Sequence, residues 1–126
     1  MTFEEALREE LSSISGITNK IYPLTAKKGT KAPYLIYVSS EGIQDKVFQG
    51  YLDSKEIACE VNIVHSTYEN MKSLSKLVIE KIVSFQGRTI GTNGPTIKNV
   101  TYQKPVELFE REIQCYRCVI EIKVRI

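Results

Sequence analysis

The chain has 126 residues, of which 42% are apolar, 25% charged and 9% aromatic. That is the composition of a single folded domain, residues 1–126, and it excludes disordered, collagen-like and multi-domain architectures. Seventeen basic and fifteen acidic side chains leave a formal charge of +2, too little for a protein whose affinity comes from neutralising phosphates.

The amino terminus, Met1-Thr2-Phe3-Glu4-Glu5, lacks the basic-then-apolar layout of a secretory signal, and no apolar run approaches the ~20 residues of a membrane span. A soluble, cytosolic protein is the expectation. Thr2 followed by Glu5 is a capping-box pattern, so a helix should start here. Phe3, Ala6, Leu7, Leu11 and Ile14 then recur at three- and four-residue steps as one apolar stripe, and Gly16 marks its end. Ile21-Tyr22-Pro23 is short enough to be only an edge strand, closed by a proline that cannot donate to a ladder. A lysine-rich loop follows. Tyr34-Leu35-Ile36-Tyr37-Val38 has no helical spacing and reads as a strand buried on both faces.

Residues 41–54 read as a polar excursion or a hairpin whose tip the pattern does not place. From 55 to 65, Ile57, Cys59, Val61 and Ile63 alternate with Glu56, Glu60 and Asn62, the period of a half-buried strand. Ser66 and Glu69 form a second capping-box pattern. Met71, Leu74, Val78, Ile82 and Phe85 then define a helix face, widened by Leu77 and Val83, up to Gly87. Gly91, Asn93, Gly94 and Pro95 make residues 88–95 a loop. Thr96 to Gln103 reads as a strand stopped by Pro105. The last strand places Tyr116, Cys118, Ile120, Ile122, Val124 and Ile126 on one face; at ~3.4 Å per residue it is long enough to overhang the sheet and to need a partner there. The predicted fold is α+β: a mostly antiparallel sheet of about four to five strands with two amphipathic helices packed on one face.

Chemistry-bearing motifs are sparse. Cys115 and Cys118 are three apart on a strand, so their sulfurs point to opposite faces and are expected to be independent free thiols, as an odd count of cysteines in a reducing compartment also suggests. His65, the only histidine, stands at a strand–helix junction near Cys59, Glu60 and Ser66; without an announced orienting acid or oxyanion pocket, a capping or packing role is favoured over a nucleophile–base pair. The glycines at 87, 91 and 94 match neither phosphate-binding fingerprint. The tyrosines and phenylalanines lie mostly at strand positions that suit packing better than base stacking. Charge is uneven. Residues 21–40 carry Lys27, Lys28 and Lys31 with no acid, and residues 87–106 carry Arg88, Lys98 and Lys104 with no acid. Such loops are either simply solvated by lysine or face a polyanion or an acidic partner.

The leading helix, Ile21-Tyr22-Pro23, the variable loop, Ala32-Pro33-Tyr34-Leu35-Ile36-Tyr37, the alternating strand running into a helix through Tyr68-Glu69 to Gly87, and the final Cys115-Tyr116-Arg117-Cys118 strand together resemble the tail-completion, or tail-to-head joining, proteins of long-tailed phages and prophages. The resemblance covers most of the chain and is weakest over residues 88–106. It implies a structural protein made and assembled in the host cytoplasm. Copies would close the top of the tail tube as a ring, usually sixfold, and contact the tube protein and the head connector or stopper. DNA would pass with only transient, non-specific contact. It implies no catalysis, no cofactor and no membrane. On this reading Lys27, Lys28, Lys31, Arg88 and Lys98 are the candidates to face the lumen or an acidic neighbouring ring. The alternatives are a small α/β enzyme or ligand-binding domain with a site near His65, or another head-closure or minor tail component.

Overall fold

The computed structural model describes residues 1–40 and 42–126; Glu41, the first residue of the 41–54 excursion, lies outside the described residues. Thr2 caps helix α1 (Phe3–Leu11) as its sequence requires: its hydroxyl accepts the Glu5 amide at 3.2 Å, and the Thr2 N–H donates to the Glu5 carboxylate at 3.2 Å. The helix ends at Leu11, a turn before Gly16, which adopts φ +100 within the turns that follow.

β1 (Ile21–Pro23) is an edge strand as predicted, but it runs parallel to β2 (Tyr34–Ser39). β3 (Ile43–Val47) and β4 (Gly50–His65) form a hairpin turning at Phe48-Gln49, which places the tip the sequence left open. Helix α2 (Tyr68–Val83) is capped by Thr67, whose hydroxyl accepts the Asn70 amide at 3.3 Å, and not by Ser66. It ends at Val83 with Ser84 as its cap, four residues before Gly87. β5 (Asn99–Tyr102), β6 (Val106–Glu110) and β7 (Cys115–Arg125) complete the chain.

The expected sheet of four to five mostly antiparallel strands is corrected: seven strands share one mixed sheet, ordered β1-β2-β4-β7-β5, with β3 added to β4 and β6 to β7. The α+β class stands. The two uncounted strands, β3 and β6, expose nearly every residue, so neither carries the half-buried alternation by which a strand announces itself. The long last strand does not overhang either. β7 pairs with β4 from Tyr116 to Arg125, while β6 and then β5 line its other side.

Residues directly opposite in this register share a face. Leu35, Tyr37, Ile57, Cys59, Val61, Ile63, Cys118, Ile120, Ile122 and Val124 point to the inner face, where they bury against Phe3, Ala6, Leu7 and Leu11 of α1 and Met71, Leu74, Val78 and Ile82 of α2. The outer face holds a second, small cluster, Tyr34, Ile36 and Val64, with Tyr22, Ala26 and Ala32 against it. That cluster explains why β2 is buried on both faces over Tyr34 to Tyr37, as predicted.

Candidate assembly surface

β4 outruns its neighbours. Its last pair with β7 is Glu56 with Arg125, and residues 50–54 have only β3 as partner. At ~3.3 Å per residue the free part of this hairpin, called here the arm, extends about 17 Å beyond the sheet. Asp45 fastens its base: the carboxylate accepts from Ser54 Oγ at 2.8 Å and from Arg125 Nη1 at 2.5 Å, beside the point where the β3 register shifts. The Arg125 guanidinium, with the Ser54 hydroxyl, holds the Asp45 carboxyl below its ordinary range. Past this clamp several apolar side chains are bare: Phe48 at the tip is 106% exposed and Tyr51 67%, with Val47 and Leu52 also open to solvent, while Ile43, 80% exposed, stands at the root opposite Glu56. A soluble monomer rarely leaves such a cluster uncovered.

The two lysine-bearing loops occupy opposite ends of the sheet. The loop carrying Lys27, Lys28 and Lys31 packs through Ala26 and Ala32 on the outer face near Val64 and Cys115. All three lysines are exposed. The loop opens on Leu24, whose φ of +67 is costly for a side chain of this kind, by about 1–2 kcal/mol, and whose apolar side chain is 69% exposed. Lys98, also exposed, stands at the other end, its amide donating to the Arg125 carbonyl at 2.7 Å. Arg88 differs from the other candidates in being engaged: its guanidinium donates to both Glu10 oxygens, at 2.8 and 3.2 Å. Glu10 also accepts the Gly91 amide at 2.8 Å, and Glu9 accepts from the amide and hydroxyl of Thr92. Glu9 and Glu10 of α1 thus tie the 88–95 loop to the helix.

His65 accepts the Ser66 amide on Nδ1 at 2.8 Å, and burial lowers its pKa. The Ser66 hydroxyl lies 3.4 Å from the same nitrogen. A nitrogen occupied by its own backbone is poorly placed to take a proton from a nucleophile, which favours the packing and capping role. Cys118 lies in the inner core and Cys115 beside the outer cluster, so the two thiols point to opposite faces as expected. Burial pushes the Cys59 thiol up to about 12.

Two concavities flank the sheet's open surfaces. A trough of about 550 Å³ crosses the outer face between Val38 and Thr101, and in it Glu60 and Glu121 lie directly opposite on β4 and β7, an unfavourable like-charge pair. A recess of about 590 Å³ opens at the other edge of the sheet, between α2 and the β5–β6 run, lined by Ile79, Tyr102 and Pro105 and by polar residues that include the Lys72–Glu107 ion pair. The arm is the surface that sequence reasoning did not single out. Val47, Phe48, Tyr51 and Leu52, set in a hairpin with no third strand beside them, are its signal.

No family model matches this chain, and no curated protein does. Among solved structures the fold is similar to that of a chain in the virion of a native gene transfer agent particle, with a TM-score of 0.70 over 98% of this chain and 92% of that one, at 10% sequence identity.

Proposed function

We propose that this chain is a structural subunit of a phage-like particle, and that copies of it close the top of the tail tube as a ring which meets the head connector and lets DNA through. The observation that carries this reading is the shared fold with a virion chain along almost the whole of both molecules. The resemblance to tail-to-head joining proteins, drawn from the proline-bracketed loop and the final strand, points the same way. The surface suits assembly: an apolar arm at one edge, a recess at the other, and unpaired sheet edges along β3 and β5–β6.

Its weak net charge of +2 suits a channel that must not grip its cargo, because a ring multiplies every phosphate contact by the number of subunits. Lys27, Lys28 and Lys31 at one end of the sheet and Lys98 at the other are the candidates to face the lumen or an acidic neighbouring ring. Arg88, committed to Glu10, is a structural contact first. The subunit folds in the host cytoplasm and ends in the particle at the head–tail junction.

Deletion of the gene in a particle-producing strain tests the reading. Filled heads and unjoined tails in electron micrographs, restored to joined particles by adding the purified chain, are expected. Normal joined particles without the chain would refute it. Reversing Lys27, Lys28, Lys31 and Lys98 together should lower joining efficiency; unchanged joining removes these residues from the mechanism.

A further inference from the structure

Glu56 is paired with Ile43 on one side and with Arg125 on the other, so β3 and β7 flank β4 at the root of the arm. The Arg125–Asp45 ion pair therefore crosses β4 from one flank to the other, a span of two strand spacings of ~4.8 Å each. It lands where the register shifts. Between the pairs Gln44–Lys55 and Lys46–Tyr51, β3 has Asp45 alone where β4 has Leu52, Asp53 and Ser54. A bulge of this kind is where a strand pair bends. We propose that the Arg125–Asp45 pair is a strap that fixes the direction of the arm at this bulge, and that the arm swings when Arg125 turns from Asp45 to Glu56.

Arg125 has two acids to choose between. Asp45 accepts its Nη1 at 2.5 Å across the bulge, while Glu56, exposed and directly opposite in the register, also acts on its charge. Only the first arrangement ties the arm to the last strand. The pair is open to water, with Arg125 43% and Asp45 33% exposed, so closing it is worth little and both arrangements are populated. Among the described residues no other ion pair joins the arm to the body. The hairpin itself does not depend on the strap. Gln44 Nε2 donates to the Leu52 carbonyl at 3.1 Å and the Lys46 ammonium lies 5.2 Å from the centre of the Tyr51 ring, so the part beyond the bulge moves as a unit. Lys55 and Ile126 exchange both backbone hydrogen bonds, at 3.2 and 3.0 Å, and keep the sheet closed below it. The moving part carries Phe48 and Tyr51, so the strap decides in which direction that apolar surface is presented.

The test measures the distance between two nitroxides by pulsed electron resonance in the full chain, one on Gln49→Cys at the tip and one on Ser73→Cys of α2, with Cys115→Ser to remove the accessible native thiol. One main distance with a minor second one is expected. Asp45→Asn should raise the fraction at the second distance about fivefold, and Glu56→Gln, which removes the alternative partner, should lower it. Exchanging the two charges, Asp45→Arg with Arg125→Asp, should return the fraction to its original value, which a loss of packing would not do. Salt at about 1 M, which screens an exposed pair, should raise the same fraction in the chain without either substitution and needs no variant to fold. A distribution unmoved by Asp45→Asn or by salt, or one that the exchanged pair fails to restore, would overturn the strap.

Discussion

Gly42 shows how closely the arm is joined to the body at the level of single atoms. It adopts φ +83, and a Cβ there would stand 2.6 Å from the Glu56 carbonyl oxygen and 2.8 Å from Ile57. Gly42→Ala is expected to cost about 1–3 kcal/mol, read from the midpoint of urea unfolding; an unchanged midpoint would mean that the arm root is free to move. Gly94 is sterically constrained in the 88–95 loop, where a Cβ would fall 2.1 Å from the Ile90 carbonyl oxygen. The thiols give a second check at this scale. Cys59 and Cys118 are buried and burial raises both pKa values, whereas Cys115 is half-exposed. Titration of the folded protein with a thiol reagent should modify Cys115 alone, with Cys59 and Cys118 reacting after denaturation. The opposite-face placement behind this was legible from the three-residue spacing on a strand.

Among the elements, α1 and the 88–95 loop form one unit through Glu10. Arg88, with the Gly91 amide, holds the Glu10 carboxyl below its ordinary value of 4.5. Because the folded pKa is the lower one, this contribution to stability is complete above about pH 4.5 and disappears as pH falls through the folded value. Glu10→Gln should therefore lower stability at neutral pH by about 1 kcal/mol, the Arg88 side being partly screened by water, and the deficit should shrink in acid. Thermal melts at pH 7 and pH 3 measure it; an equal deficit at both would show that charge is not the cause. The sequence put Arg88 on a loop without acids and could not reveal this partner, because Glu10 lies 78 residues away. The same limit hid β3 and β6. Their exposed residues carry no burial pattern, while the buried strands β2, β4 and β7 and both helices were legible because one face of each meets the core.

At the scale of the whole molecule, the inner core and two helices make the body self-sufficient, yet the surface is left unfinished. Bare apolar residues cluster on the arm, Glu60 faces Glu121 across the outer trough, and sheet edges stand open on both sides. Neither acid is in an ion pair among the described residues. Such features destabilise or endanger an isolated subunit and are resolved when neighbours cover them. The arm was only half visible in sequence: residues 41–54 could be read as a hairpin, but how far β4 outruns β7 depends on strand register, which no local pattern fixes.

A cryo-electron reconstruction of the head–tail junction in intact particles tests the central claim most directly. The account predicts a closed ring of this seven-stranded fold between tail tube and connector. A junction resolved to side chains and built without this chain would contradict it.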